Sequence, residues 1–204
     1  MSFAPVWAHR LGYFLSPQLD LYRNIAAKFP EANRIMDYGC GTGFGLLQLA
    51  GTAKLDGMAA FRIPLGIDCD EHAVDVANRL LGKVATFRVE DWADMKLTPG
   101  YEGQFDLVTC IEVIEHVLAP GRLLKNLAAS VAPGGCLVVS TLNHNSQYRK
   151  NNDHRSKFNV DSFTAMIQEE CSSPFITDFK LTDPVDDMSQ VTPVVAVWRK
   201  PSIA

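Results

Sequence analysis

Short apolar runs rich in Val and Ile alternate along the chain with longer segments of mixed polarity. The longer segments carry apolar residues at helical spacing, for example at positions 73, 74, 76, 77, 80 and 81. Strands that alternate with helices are typical of βα units around a parallel sheet. We therefore predict an α/β fold with a seven-stranded, mostly parallel sheet, and the strands are expected at 34–39, 62–68, 85–91, 105–111, 135–143, 176–183 and 194–200.

Four helices are predicted between these strands, so that helices cover both faces of the sheet. They correspond to "FGLLQLAG" from Phe44, "DEHAVDVANRLLG" from Asp70, a segment from Pro120 to a stop at Pro133-Gly134, and "NVDSFTAMIQEEC" over 159–171. Asp70 is expected to be the N-cap of its helix. The last two strands are expected to close as an antiparallel C-terminal hairpin.

Residues 1–33 precede the first predicted strand and are expected to form an N-terminal helical cap or a lid. Ser16 is suited to cap a helix there, with Pro17 at the first helical position. The segment either packs on the sheet or covers a ligand. We place it in the same single domain as the rest of the chain, residues 1–204.

Composition supports one globular domain, because 204 residues that are 47% hydrophobic and 21% charged can bury a full core. The net charge of −4 argues against a broad binding surface for duplex DNA. No run of 18 apolar residues and no export signal are present, so we expect a cytoplasmic protein without a membrane span. The five cysteines form no CxxC pair, which argues against a cysteine zinc site or a disulfide framework.

The stretch "IMDYGCGTGFG" over 35–45 is a glycine-rich turn after the first strand, where open α/β folds bind ligands. It lacks the Gly-Lys-Ser/Thr of a P-loop, and its spacing does not fit G-x-G-x-x-G. What remains is D-x-G-x-G-x-G, formed by Asp37, Gly39, Gly41 and Gly43. An acid in this place would repel a pyrophosphate and suits a ligand that carries a positive group.

This motif resembles the first motif of class I S-adenosylmethionine-dependent methyltransferases, which have a Rossmann-like fold. The resemblance continues in order through the ends of the second, third and fourth strands and the Pro-Gly-Gly turn. It implies that the glycine loop approaches the methionine part of the cofactor and that Asp37 orients its amino group. It also implies that Asp68 binds the ribose hydroxyls, Asp91 accepts from the adenine amino group, and Trp92 covers the adenine ring.

The acceptor side is expected in "EVIEHV", which follows the fourth strand, together with the later His154. This combination resembles small-molecule O-methyltransferases of the ubiquinone type and also small-RNA 3′-end 2′-O-methyltransferases. In the RNA group such residues hold a divalent metal. The resemblance therefore implies a Mg²⁺ or Mn²⁺ site at Glu112, Glu115, His116 and His154. A hydroxyl group bound to such a cation loses its proton more easily. In metal-free relatives the first acid lines the cofactor pocket and a histidine faces the acceptor.

Without a metal, Glu112, His116 and His154 are the predicted catalytic residues. His116 and His154 are the candidate general bases, because an imidazole titrates near neutral pH, and His144 is a weaker third candidate. Four basic residues lie close to His154 in the sequence, namely Arg149, Lys150, Arg155 and Lys157. Their positive charge favours an acceptor with a carboxylate or phosphate.

We therefore expect an S-adenosylmethionine-dependent enzyme that O-methylates a small, acidic metabolite. The alternatives are a metal-assisted 2′-O-methyltransferase of RNA 3′ ends and a non-catalytic S-adenosylmethionine-binding partner subunit. Tetrapeptides resembling Asn-Pro-Pro-Tyr and Pro-Cys pairs do not occur after the fourth strand, which argues against DNA base methylation.

Overall fold

The computed structural model describes residues 17–50, 64–93, 95–142, 154–171 and 193–202. Its helices are α1 Pro17–Lys28, α2 Phe44–Ala50, α3 Glu71–Leu81, α4 Pro120–Ser130 and α5 Val160–Cys171. Its strands are β1 Ile35–Tyr38, β2 Leu65–Asp68, β3 Thr86–Val89, β4 Phe105–Ile111, β5 Val131–Leu142 and β6 Pro193–Arg199. A 3₁₀ turn, Ile114–His116, follows β4.

The strands form one sheet in the order β3-β2-β1-β4-β5-β6. All neighbouring pairs are parallel except β5 and β6, which are antiparallel. The mostly parallel sheet with an antiparallel C-terminal end is therefore confirmed. The described sheet has six strands rather than seven, and the segment 176–183 predicted as a further strand lies outside the described residues.

Helices cover both faces of the sheet, as predicted, and each face has its own hydrophobic core. Neighbouring strand residues alternate between the cores: Ile35 belongs to one and Met36 to the other. Residues of α1, α2 and α3 pack in the core with Ile35, whereas residues of α4 and α5 pack in the core with Met36. The strand order reverses between β1 and β4, and doubly wound sheets bind ligands at the carboxyl ends of the strands beside such a reversal.

Two predicted helix boundaries have different outcomes. Asp70 caps α3, because its side chain accepts from the backbone N–H groups of His72 and Ala73 at 2.9 and 3.3 Å. The predicted end of α4 at Pro133-Gly134 is wrong: α4 ends at Ser130 and β5 begins at Val131. Val131 already pairs with Phe105 of β4, so sheet pairing overrides the turn signal of Pro-Gly-Gly.

The helix α1 begins at Pro17, as expected, and packs its apolar side against the same core as α2. Leu21 and Ile25 are almost fully buried there. Ser16, the predicted cap, lies outside the described residues. The assignment of residues 1–204 to one domain, with 1–33 as a cap or lid, stays a prediction. Among the described helices, none combines the length and hydropathy that crossing a membrane requires.

Candidate functional site

The glycine loop joins β1 to the start of α2 and has a left-handed backbone. Gly39, Gly41 and Gly43 have φ values of 76°, 54° and 84°, a region that side chains with a Cβ rarely adopt. A Cβ on Gly39 would also collide with the side chain of Val113. The N–H groups of Gly39 and Cys40 donate to the carbonyl of Ile67 at 2.7 and 3.0 Å, which ties the loop to β2.

Asp37 lies at the end of β1 and is fully buried. Its Oδ1 accepts from the Thr109 hydroxyl at 2.6 Å, and the Tyr22 hydroxyl donates toward both carboxylate oxygens at 3.1 and 3.2 Å. Burial raises the pKa of Asp37 to about 7, and these two hydrogen bonds oppose that shift. Because the carboxyl is enclosed by protein hydroxyls, the geometry favours an influence through charge over direct contact with a ligand.

Asp68 ends β2 and supports the glycine loop. Its Oδ2 accepts from the N–H of Gly41 at 2.7 Å, and its Oδ1 accepts from the N–H of Asp70 at 2.9 Å. The carboxylate is thus held in a fixed orientation at the sheet edge, next to the loop. Its expected contact with ribose hydroxyls stays a prediction.

Asp91 and Trp92 follow β3 and are connected to Tyr38 of β1. The N–H of Trp92 donates to the Tyr38 hydroxyl at 2.9 Å, and Asp91 Oδ1 lies 3.4 Å from that hydroxyl and 3.0 Å from the N–H of Ala93. The Trp92 indole is only 1% exposed, lies 5.5 Å from the Tyr38 ring between centroids, and donates to Glu90 at 2.8 Å. The structure therefore gives Trp92 a place in the core, and its contact with adenine stays a prediction.

The loop after β4 carries two glutamates, of which Glu115 is buried and Glu112 is half-buried. Glu112 has a φ of 56°, and it is the only positive-φ residue other than glycine in the described segments. Its Oε1 accepts from the Ser140 hydroxyl at 2.8 Å. In the part of the chain that the structure describes, Glu112 Oε2 and both carboxylate oxygens of Glu115 are buried without a hydrogen-bond partner. Burial is the main cause that raises the pKa of each glutamate.

His116 and His154 are brought together although they are distant in sequence. Their rings meet edge-on with centroids 4.9 Å apart. The N–H groups of Arg155 and Ser156 donate to the carbonyl of Glu115 at 2.8 and 3.0 Å, which fastens the His154 segment to this turn. One ligand atom from each of Glu115, His116 and His154 lies within 4.8 Å of the others. We call these three residues the acceptor cluster.

The predicted site residues thus fall into two neighbouring groups at the carboxyl ends of the strands. Glu112 is not part of the acceptor cluster, so three of the four side chains considered for a metal come together. Arg155 and Lys157 are exposed beside His154, whereas His144, Arg149 and Lys150 lie outside the described residues.

Sequence reasoning missed four hydroxyl groups that hold the acids in place: Tyr22, Tyr38, Thr109 and Ser140. Tyr38 lies within the glycine motif itself, and an aromatic residue with a polar tip at a buried strand end could have drawn attention to it. The other three carry no local signal, because their partners are distant in sequence.

Comparison with known proteins gives a consistent result. The model of the family described as "Methyltransferase domain" matches residues 7–170. The ubiquinone biosynthesis O-methyltransferase of Coxiella burnetii is 32% identical over 115 residues, covering 56% of this chain and 46% of the relative. The chain spans about half the length of the curated relatives that it matches.

Two solved structures have a similar fold. An S-adenosylmethionine-dependent methyltransferase from Mesorhizobium loti has a TM-score of 0.62 at 16% identity, covering 82% of this chain and 90% of that one. The plantazolicin methyltransferase BpumL in complex with S-adenosylhomocysteine has a TM-score of 0.67 at 15% identity, covering 90% and 84%.

The chain belongs to the methyltransferase domain family and has the sheet, glycine loop and strand-end acids of a class I S-adenosylmethionine-dependent methyltransferase. The residues present fit that cofactor. The left-handed glycine loop keeps side chains away from the sheet edge beside α2, and the acids Asp37, Asp68 and Asp91 lie at or just after the ends of three adjacent strands next to it.

Proposed function

We propose that this protein transfers the methyl group of S-adenosylmethionine to an oxygen atom of a small molecule. The observation that carries the proposal is the acceptor cluster, which His154 and the turn after β4 form together; Val113, just before that turn, packs against Gly39 of the glycine loop. The curated relatives named as O-methyltransferases support an oxygen acceptor. Two imidazoles at this place are suited to remove the proton of a hydroxyl group.

The cofactor, when bound, supplies an electrophilic methyl group on a sulfonium. The protein has to align the acceptor oxygen with that methyl group and remove the acceptor proton, since methyl transfer is an in-line displacement. Asp68 and Asp91 are the proposed contacts for ribose and adenine, and Asp37 contributes negative charge below the methionine end. His116 is the proposed base. The ring of His154 packs edge-on against the His116 ring, and the neighbouring Glu115 is buried.

The proposed acceptor is acidic. Arg155 and Lys157 are exposed next to His154, so a carboxylate or phosphate on the acceptor would find positive charge at the rim of the site. Because the exposed side chains are solvated, we expect them to alter KM more than kcat.

The experiment supplies labelled S-adenosylmethionine and a panel of phenols and catechols, each offered with and without a carboxylate. Methylated product is expected from an acidic member and not from its neutral counterpart, and His116→Ala is expected to slow its formation about 1000-fold. Binding of S-adenosylhomocysteine without any methylated oxygen product would overturn the assignment of the acceptor. Failure to bind S-adenosylhomocysteine would overturn the assignment of the cofactor site.

A second candidate is metal-assisted methylation, including that of the 2′-hydroxyl at an RNA 3′ end. The observation that favours it is the pair of Glu115 carboxylate oxygens, buried without a hydrogen bond beside two imidazoles, because carboxylate oxygens suit Mn²⁺ and imidazole nitrogens are common metal ligands. Glu115, His116 and His154 would hold the cation, which would lower the pKa of a bound hydroxyl.

Calorimetric titration with Mn²⁺ tests this candidate without depending on activity. Binding that His154→Ala weakens at least tenfold would support it. Binding that is absent from the wild type, or unchanged in His154→Ala, would contradict it. Oligoribonucleotides with a 2′-hydroxyl or a 2′-deoxy 3′ end, assayed with Mn²⁺, distinguish an RNA acceptor from a small molecule.

A further inference from the structure

Tyr22 connects the N-terminal helix α1 to two parts of the cofactor site. It is 7% exposed, and its hydroxyl reaches both oxygens of Asp37 at the end of β1. Strand residues alternate between faces, so Asp37 points toward the α1 face whereas Tyr38 points toward the other. The helix α1 is therefore the element that closes the layer over Asp37.

The ring of the same tyrosine packs on the start of α2. A Cβ added to Gly45 would run into the Tyr22 ring, so the absence of a side chain at Gly45 is what lets the two helices approach here. Gly45 is the second residue of α2, which begins at Phe44 directly after the glycine loop. One side chain thus contacts both the acid and the helix that flank the loop.

We propose that Tyr22 is a positioning residue of the cofactor site: its ring sets the position of α2 at Gly45, and its hydroxyl orients Asp37. This inference rests on the proposed role of Asp37 as the negative charge beneath the methionine end of the cofactor. It makes α1 part of the cofactor site rather than only a cover for the sheet.

The hydroxyl also influences the charge of Asp37. A hydrogen bond to the ionised carboxylate favours that form, and burial opposes it, which leaves the pKa of Asp37 at about 7. The groups that face this carboxyl are Tyr22 from α1, Thr109 and Cys110 from β4 and Asp68 from β2, and Cys40 from the glycine loop faces Tyr22. Burial raises the pKa of both Tyr22 and Cys110, so these groups stay neutral near pH 7.

The test is the affinity for S-adenosylhomocysteine, measured by calorimetry between pH 5.5 and 8.5. Tyr22→Phe keeps the ring on Gly45 and removes only the hydroxyl. Because the ionised carboxylate attracts the ligand's ammonium group, affinity should rise with pH, and the midpoint should lie about one pH unit higher in Tyr22→Phe. Well below both midpoints, the variant should bind about tenfold more weakly than the wild type.

Tyr101→Phe is the matched control. It also removes a hydroxyl that donates to a glutamate carboxyl, that of Glu90 at 3.3 Å, but it lies on the face opposite Asp37. It should leave the midpoint where it is in the wild type. Asp37→Asn should bind weakly and lose the pH dependence, which shows that the midpoint reports Asp37.

The outcomes separate the two proposals. No binding by the wild type overturns the proposed cofactor site, and an unchanged pH profile in Asp37→Asn overturns the role of Asp37. A Tyr22→Phe profile that superimposes on the wild type overturns the positioning role of Tyr22. If Tyr22→Phe does not fold, a fluorinated tyrosine at position 22, a stronger donor of nearly the same shape, should lower the midpoint, and a midpoint that stays or rises contradicts the proposal.

Discussion

The donor and acceptor sides of the site lie at the same edge of the sheet but differ in how the protein satisfies Asp37 and Asp68 on one side and Glu115 on the other. On the donor side, Asp37 accepts from two hydroxyls and Asp68 from two backbone N–H groups. On the acceptor side, in the described part of the chain, both oxygens of Glu115 have no hydrogen-bond partner. A satisfied acid is fixed before the ligand arrives, whereas a buried acid without well-placed donors gains stabilisation from a proton or a ligand.

The two sides, called here the donor half and the acceptor half of the site, depend on the fold to different extents. The donor half is built from backbone and strand ends, so its geometry follows from the sheet. The acceptor half depends on two side chains from separate segments, His116 and His154, held together by hydrogen bonds to the carbonyl of Glu115. Substitutions in the donor half should therefore weaken cofactor binding, whereas substitutions in the acceptor half should slow turnover.

The largest effect is expected from His116→Ala. Loss of a general base should lower kcat about 1000-fold with the acceptor identified by the panel. The Kd for S-adenosylhomocysteine should stay within about twofold, because His116 is assigned to the acceptor half. Steady-state kinetics and calorimetry measure the two quantities. His72→Ala, at an exposed position on α3, is the control, and an equal loss of binding and turnover in His116→Ala would break the comparison.

Asp68→Asn should have the next largest effect, on binding. The amide keeps one acceptor oxygen but loses the charge and one of the two acceptor positions that hold Gly41 and Asp70. Affinity for S-adenosylhomocysteine should fall about 30-fold, the worth of a charged hydrogen bond. Asp75→Asn on α3, whose half-exposed side chain pairs with Arg79 away from the glycine loop, serves as the control. Affinity within threefold of the wild type would remove Asp68 from the cofactor site.

Gly39→Ala tests the contact between the donor and acceptor halves, where Gly39 of the glycine loop meets Val113 of the loop after β4. The new Cβ would need a left-handed backbone and would collide with Val113. We expect a loss of about 2 kcal/mol in the free energy of unfolding, or a Tm lower by about 4–8 °C. The double variant Gly39→Ala with Val113→Ala should recover part of this loss, because it relieves the collision but not the backbone strain. A double variant no more stable than Gly39→Ala would show that the two halves do not meet here.

The smallest expected effect concerns the pH dependence of stability. Because burial raises the pKa of Glu112 above its ordinary 4.5, the folded protein retains a proton that the unfolded chain has released. The contribution of Glu112 to the free energy of unfolding is therefore fully present below pH 4.5 and is lost as the pH rises through its raised pKa in the folded state. Glu112→Gln should show a weaker decline and, at pH 8, a Tm about 2 °C above the wild type.

The control for this prediction is Glu169→Gln, which changes an exposed glutamate on α5. It should follow the wild-type curve of Tm against pH. A Glu112→Gln curve that also follows the wild type would mean that burial of this carboxyl has no energetic consequence.

The donor half could be predicted from sequence because its signals are local. Glycine spacing predicts the loop, and acids that end neighbouring parallel strands must meet at one edge, which places Asp37, Asp68 and Asp91. The Asp70 cap was predictable for the same reason. Where a long-range effect overrides a local signal the prediction was wrong, as at Val131, where pairing with Phe105 starts β5 before Pro-Gly-Gly.

The hydroxyls that support the acids could not be predicted, because their partners are set by the packed fold. Tyr22 meets Asp37 only after α1 docks on the sheet, and Thr109 meets it through pairing of β1 with β4. His154 entered the prediction through resemblance alone. Its position depends on backbone hydrogen bonds from Arg155 and Ser156, which no periodicity indicates.

The glycine loop and its neighbouring strand ends are proposed to form a preorganised site for S-adenosylmethionine. The most direct test is calorimetric titration of the wild-type protein with S-adenosylhomocysteine at pH 7.5. The account predicts saturable binding at one site per chain with a Kd of about 1–100 μM, in the range of cofactor and substrate affinities in enzymes. Absence of saturable binding by a folded sample would contradict it.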